Sequence, residues 1–565
     1  MQEWISKLRE RNVLQYFLLY AGFIWGLVQV IAFMSDTFGW PVSLVRVVTI
    51  IGFSSIPSAF IFFYFRAQPS TLKRQAVFYF ANGLIVVCLF IYSNPFAGKI
   101  HEVRIDSNAE QSIAVLPFDD MSPNHDQDWF SDGVMTEIVG HLYKIKGWRV
   151  TPRNSSMKFK GKNLSPKEIA EALGVSHVLE GNVRRDGDLV RIQVTLLSGS
   201  NETEEWSETY NRDLKDILGI QSDVAQRVAE RLKINIEPDV KERIEYKSTN
   251  NPEAYILVAE SEKMDLGSNE QREALEKAIL VDPEYGEPYA KLAFIWLLTF
   301  LDGKSSYQQI ASIADSLNRK ALTLDPNNLT AHHNLIIISV NVYWDFETAE
   351  KEYLVLKELS PSYDAWMMTL EKMAIGQFRT AQELQQRAVE NDRTSPSNWS
   401  YLALTQFFTG DKPTISEDRI IENFSGAHNA MEYLNYVGNF RKSVLVYEKA
   451  LIQGEEHIES PNAKAFAAIA YNKVGQAWKG QELLNQLLEK CRSNASIGSP
   501  SYFTALVYAA KNEREQALSY LEQGLKNHDA EMYWVKVQPF LKSLHGEPRY
   551  EAVVKKVFEP KKRLS

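Results

Sequence analysis

Asp119 and Asp120 stand side by side at the end of the apolar run SIAVLPF, residues 112–118. Paired carboxylates at the mouth of a buried strand are where many α/β folds keep a metal ion or a general base, because neighbouring acids concentrate negative charge and perturb each other's protonation. Asp126, Asp128 and Asp132 follow closely and could complete a cation site. The order DDMSPNHDQDWFSDG, however, lacks the spacing of a calcium loop and ends without the bidentate Glu such a loop needs. An acid after a strand also starts a turn, its oxygen accepting from a backbone N–H two residues on. Three readings therefore stand: a structural turn, a ligand or ion site, and a catalytic pair. Asp119, Asp132 and Arg153 are the candidate binding residues.

Elsewhere the chemistry-bearing types do not converge. The sequence has no G-x-x-x-x-G-K-[ST], no G-x-G-x-x-G after a strand, no H-E-x-x-H and no G-x-S-x-G. His332 and His333 are adjacent, so a helix points them to different sides, which makes a poor metal pair. Cys88 and Cys491 are the only cysteines, which excludes a disulfide framework or a cysteine-built zinc site. No catalytic residue, metal ligand or cofactor is assigned, and the chain is read as not an enzyme.

The elements that would position these residues begin with three apolar runs. Val13 to Met34, Val47 to Phe65 and Ala76 to Gly98 carry no charge. Each is near the roughly 20 apolar residues that span a bilayer as helix. They predict a membrane anchor over 1–98, with transmembrane helices at about 13–34, 47–65 and 76–95. Lys7, Arg9 and Arg11 before the first run, and Arg66, Lys73 and Arg74 between the second and third, place the N-terminus in the cytoplasm and the remainder outside it. Residues 1–105 carry nine Lys/Arg against four acids; the net charge of −9 then leaves −14 for the rest. So acidic a remainder argues against nucleic acid as its partner, since phosphate binding needs clustered positive charge.

After a linker over 99–111, residues 112–236 predict a small α/β domain. SIAVLPF is a buried strand, and SDGVMTEIVGHLYKI a helix with Ser131 or Asp132 as its cap. WRVTP is a short strand, and SPKEIAEALGV a capped helix ended by Gly174. HVLEGNVRRDGDLVRIQVTLLS is a hairpin turned at Asp186-Gly187-Asp188. ETEEWSETYNR adds a strand and IQSDVAQRVAERL a closing helix. The ordered set AVLPFDDMS, WFSDGVMTEIVGHL, WRVTPRNSSMKFKG, IAEALGVSHVLEGNVRRDGDLVRIQVTLL, EEWSETYNR and IQSDVAQRVAERL resembles the TolB-like amino-terminal (FlgO-related) domain over about 112–235. The resemblance implies a recognition or assembly module without a catalytic set. In relatives a DNA-binding or nucleotide-cyclase domain often precedes it; Met1 to Asn12 is too short for either, so output is expected to pass through partners.

Beyond a second linker, 237–250, the chain reads as helical to residue 558, with a tail at 559–565. GQFRTAQELQQRAV (376–389), GNFRKSVLVYEKAL (438–451), GQAWKGQELLNQLL (475–488) and NEREQALSYLEQGL (512–525) share small residues at Ala381, Ser443, Gly480 and Ala517. Small residues let the two helices of a hairpin approach, so the spacing has a packing cause. With a period of about 34 these resemble tetratricopeptide repeats, an all-α solenoid whose inner face forms a groove for a peptide or a partner's helix. The fold class read from sequence is thus multidomain: an α-helical transmembrane anchor, a small α/β domain of TolB-like type and a tetratricopeptide-repeat solenoid. The expected function is a membrane-anchored, extracytoplasmic protein-binding scaffold at the inner membrane of a bacterium, its partner a protein or peptide. The alternative is a signalling receptor that passes an envelope signal through its membrane helices to a separate cytoplasmic protein.

Overall fold

A computed structural model describes residues 19–20, 22–30, 112–122, 127–187, 189–301, 305–362, 366–424, 426–455, 457–493 and 497–559. The chain divides into two units, Met1–Asp106 and Ser107–Ser565.

In the first unit the expected membrane anchor is corrected. Among the described residues no helix is long and apolar enough to cross a membrane. Residues 19–20 and 22–30 are helical. The runs at 47–65 and 76–95 lie outside the described residues. The described fold therefore has no transmembrane anchor, and the expected embedding in a membrane is without support among the described residues.

The second unit opens on a mixed sheet. β1 (Ser112–Val115) and β2 (Asp119–Asp120) both run parallel to β4 (His177–Asp186). They are one strand interrupted at Pro117, which has no N–H to give the ladder; Leu116 and Met121 on either side still donate to Leu179 and Val183. β3 (Arg149–Val150) pairs with β1, β5 (Leu189–Ser198) with β4 and β6 (Glu204–Asp213) with β5, giving the order β3-β1-β4-β5-β6. Gly187, at φ +61°, turns the β4–β5 hairpin. Helices α1 (Asp128–Tyr143), α2 (Arg153–Met157), α3 (Pro166–Leu173) and α4 (Ile217–Arg231) complete the layer. α3 has a full capping box, Ser165 with Glu168, and stops at Gly174 in the left-handed region. Helix α5 (Pro238–Glu245) occupies the stretch read as a second linker, and its Val240 and Ile244 belong to the α/β core.

Helix pairs follow: α6 (Pro252–Ser261) with α7 (Asn269–Val281), α8 (Gly286–Leu301) with α9 (Tyr307–Leu324), α10 (Leu329–Ile337) with α11 (Phe346–Leu359) and α12 (Trp366–Ala374) with α13 (Phe378–Asn391). Then come α14 (Pro396–Thr409) with α15 (Glu417–Asn423), α16 (Ala427–Tyr436) with α17 (Phe440–Gln453), α18 (Pro461–Lys473) with α19 (Ala477–Ser493) and α20 (Pro500–Ala510) with α21 (Arg514–Asn527). The small-residue positions do sit where helices touch. Ala381, Ser443 and Ala517 are fully buried, and a Cβ on Gly480 would come within 2.9 Å of the Ala468 carbonyl oxygen on α18.

In three pairs the first helix is buried along a continuous stretch: Ala331 to Ile337 of α10, Met367 to Ala374 of α12 and Ala465 to Tyr471 of α18. What covers them is the chain itself. Two 3₁₀ turns, Ala530–Trp534 and Pro539–Leu544, precede α22 (Pro548–Phe558). This C-terminal segment lays Trp534 on Phe408 of α14, and Phe540 on Tyr436 of α16 and Phe466 of α18. One continuous hydrophobic cluster therefore runs from Ala293 to Val557.

Candidate functional site

The paired aspartates separate at once. Asp120 is half-buried and accepts from the backbone N–H of Ser122 (2.8 Å) and of Gln127 (2.7 Å), so it ties the β2 turn to the residue that begins α1. That answers the helix-cap question differently from the sequence reading: α1 starts at Asp128, which puts Ser131 and Asp132 inside it. Asp120 supplies from upstream what a local cap would have given. Asp119 is exposed on β2. Burial first, then the nearby Asp119, raises the carboxyl of Glu180 above its ordinary value. Asp126 lies outside the described residues.

Asp132 and Arg153 are brought to one place, the C-terminal end of α6, and Asp119 is not. Asp132 is buried and receives both hydrogen bonds of Lys160 Nζ, at 2.8 and 3.0 Å, with Lys263 Nζ 3.9 Å away. The Arg153 guanidinium acts on the neighbouring Glu262, and its buried Nε has no hydrogen-bond partner within the protein. α1 can reach α6 this closely because of Gly133, where a Cβ would stand 3.1 Å from that of Ala259.

Between α1, α6, α8 and α10 lies a charged cleft that the sequence reading missed. Lys291 on α8 binds Glu262 at 2.8 Å and stands 3.6 Å from Glu287. Glu287 in turn accepts from Asn328 (2.7 Å) and Thr330 (2.9 Å). These side chains are half-buried: 26% of Lys291, 21% of Glu262 and 22% of Glu287 remain accessible. Solvent therefore enters between the α/β layer and the first helix pairs. Glu137 of α1 looks into the same cleft; burial, then Glu287 and Glu262, push its carboxyl up to about 7. Burial works against the charge of Glu262 too, but Lys291 outweighs it and holds that carboxyl below its ordinary value. Lys291 is raised by Glu262 and Glu287 against the opposite pull of burial.

The histidine pair splits as the helix period requires. His332 lies between Glu352 Oε2 (2.8 Å) and the Pro326 carbonyl (2.9 Å); burial lowers it, but these partners raise it overall. Burial alone takes His333 down to about 4. Among the described residues no group of three or more His, Cys, Asp or Glu side chains could hold a metal ion. The cleft lining comes from residues some 125–155 positions apart in the chain, each of an ordinary surface type. A lone Glu137 on the apolar helix GVMTEIVGHL was the one signal in the sequence.

The fold and site thus define a class: a helical-repeat array carrying a mixed α/β layer, with a charged cleft where the two meet. No family model matches the chain. Over 235 residues it is 33% identical to the Rhizobium meliloti (strain 1021) protein named "Putative adenylate cyclase 3", a match that spans 40% of this chain and 40% of that protein. Among solved structures it is similar to the human IFIT1 dimer with PPP-AAAA, at 16% identity and a TM-score of 0.29 over 55% of this chain and 78% of that one. A monomeric IFIT1 mutant with Gppp-AAAA gives 15% identity and a TM-score of 0.29 over 60% and 76%.

Proposed function

We propose that this chain is a non-catalytic binding scaffold whose partner, a protein or peptide segment bearing charged side chains, enters the cleft between α1 and helices α6, α8 and α10. The carrying observation is the charge cluster at the end of α6 and on α8: Lys291 stands 2.8 Å from Glu262 and 3.6 Å from Glu287, and 21–26% of each side chain stays accessible. Charges held in place around a low-dielectric opening favour complementary charge on a partner and discriminate against a mismatch. The resemblance of residues 112–235 to a TolB-like domain, and of the helix pairs to tetratricopeptide repeats, supports the same reading. A photo-crosslinking amino acid at Glu287, compared in cells with one at the outward Leu445, tests it. A discrete adduct from position 287 that is lost with K291M, while circular dichroism is unchanged, is the expected result. Equal adducts from both positions would overturn it.

A cyclase reading has one observation in its favour, the name of the Rhizobium protein, whose matching part spans 40% of its length. Purified chain incubated with ATP and Mg²⁺ or Mn²⁺ is expected to form no cyclic nucleotide. Formation above a heat-killed control would replace the scaffold reading.

A further inference from the structure

The two edges of the sheet are unlike. β3, at one edge, is two residues long, and its Arg149 donates to the Asn391 carbonyl of α13 at 3.1 Å, so the helical array covers it. β6, at the other, runs for ten residues, and among the described residues no strand lies beyond it. A long edge strand offers a row of N–H and C=O groups to another chain unless it is blunted.

One end of β6 is blunted. Leu196 faces Trp206 and Leu197 faces Glu204, so Glu205 is the extra residue of a β-bulge. Arg231 Nε of α4 donates to the Glu205 carbonyl there at 2.5 Å. From Ser207 to Asp213 the pairing with Thr195 to Leu189 runs without a break. The Asn211 carbonyl accepts from the Arg212 guanidinium at 3.0 Å, which turns it away from β5. Strand alternation then points the N–H and C=O groups of Ser207, Thr209 and Asp213 outward with it. Among the described residues nothing from outside the sheet hydrogen-bonds the backbone of 207–212. α4 covers one face of the strand, where Tyr210 donates to Asp223 at 2.8 Å, and not this part of its edge.

We propose that residues 207–213 of β6 pair antiparallel with the same residues of a second copy of this chain, about a two-fold axis at Tyr210. Charge selects both the occupant and the register. Glu208 then lies opposite Arg212 of the second copy, and symmetry makes this pair twice, at the closely spaced positions that carry no ladder hydrogen bond. Neither residue forms an ion pair within its own chain among the described residues. Arg212 only bends onto the Asn211 carbonyl, an acceptor whose place the added strand takes over. Pivoting on Glu208 or on Arg212 instead would set that residue against itself. Glu204 and Glu205 fall beyond the paired segment, and Asp213 faces Ser207. Such a contact is isologous, so it closes on two copies and joins their sheets. A single strand pair is a small interface, and the dimer is expected to be weak and exchanging. The contact uses none of the cleft residues and does not rest on the function assigned to them.

Disulfide trapping in the full chain tests the pairing and its register. Thr209 stands opposite Asn211 of the second copy, about 5.5 Å away at Cα as a hydrogen-bonded antiparallel pair, which a disulfide can span. The like pairs, 209 with 209 and 211 with 211, are diagonal and about 7–8 Å apart, beyond that span. Two differently tagged chains, one T209C and one N211C, are coexpressed and oxidised with copper phenanthroline. Both carry C88S, which leaves Cys491 as the one native cysteine, and that thiol is buried. The mixed dimer of T209C with N211C is expected to exceed either like dimer by about fivefold or more. E208R or R212E in both chains is expected to lower its yield by about fivefold or more, and E208R/R212E together to restore it, since the exchanged charges still meet. Restoration also shows that the single variants fold. No mixed dimer, equal yields of the three pairings, a yield that neither single variant lowers, or a double variant that restores nothing would overturn the pairing.

Discussion

Asp120 on β2 and Glu137 on α1 are both carboxyls of the α/β layer, yet their surroundings give them opposite behaviour. Asp120 accepts two backbone N–H groups, which Asp120→Ala leaves without that acceptor. A charge-assisted hydrogen bond of this kind contributes roughly 1.5–3 kcal/mol, and the half-exposed setting puts the expected loss near the lower end, about 2 kcal/mol. Urea unfolding of D120A against wild type measures it, and a change within error would remove Asp120 from its anchoring role. Glu137 faces the reverse problem. Its carboxyl is raised to about 7, by burial first and then by Glu287 and Glu262. A raised carboxyl favours the folded state when protonated, so its contribution is full below the ordinary carboxylate range and is lost as pH rises through 7. Wild type is therefore expected to lose stability from pH 5 to pH 7.5 partly through this group. E137Q should unfold at a higher urea concentration than wild type at pH 7.5 and at nearly the same one at pH 5; equal differences at both values would show that Glu137 does not titrate in that window.

At the scale of elements, much was legible because local chemistry and tertiary demand agree. Ser165, Glu168 and Gly174 delimit α3 by capping alone, and Gly187 turns the hairpin by its φ of +61°. The repeat spacing pointed to helix contacts, and Ala381, Ser443 and Ala517 are buried there. Elements set by distant neighbours were not legible. α1 begins at Asp128 because Asp120, eight residues upstream, reaches Gln127, so the capping types Ser131 and Asp132 misled. α5 looks like a polar linker, and only Val240 and Ile244 reaching the α/β core make it an element. Of the candidate binding residues, Asp132 and Arg153 converge on the end of α6 and Asp119 stays on the open edge; no spacing rule encodes that. Gly181 shows the same limit. In sequence it is a glycine in a strand, a mark of close approach without a named partner. In the fold its missing Cβ leaves room for the Gln193 carbonyl oxygen, 2.6 Å from where that atom would stand, and for the Phe118 ring at 3.0 Å. Gly181→Ala is expected to cost about 2–3 kcal/mol by overpacking, measured as a lower urea midpoint with the slope unchanged. Gly187→Ala strains a left-handed turn in open space, so it should cost less than G181A.

At the scale of the second unit, the inner side of the array is closed by the end of the chain. His528, itself left-handed at φ 59°, stacks on Trp344 at 3.8 Å between ring centroids and 7° between planes. It also packs on Tyr307 at 4.0 Å and meets the Val342 carbonyl oxygen at 2.5 Å. Trp344 is left-handed too, at φ 52°, and follows a π-helical turn at Ile338–Tyr343. A bulky aromatic residue at positive φ is held there only when its surroundings over-determine it. Further along, Lys536 Nζ donates to the Ile375 carbonyl at 3.2 Å and Phe558 stacks on Phe346 at 5.0 Å. The last residues thus bind the third and fourth helix pairs as well as the final ones. An open repeat array is quasi-one-dimensional and unfolds from its ends, because each repeat touches only its neighbours. Closure adds contacts between pairs far apart in sequence and removes a free end. The expectation is one cooperative transition across α10 to α22, with amide exchange at 338–346 and at 530–544 slowed to the same extent. H528A deletes the stack and the polar contact at the join, so both segments should speed up together while α3 and β4 keep their rates. Faster exchange at 530–544 alone would mean that the C-terminal segment rests on the array without closing it.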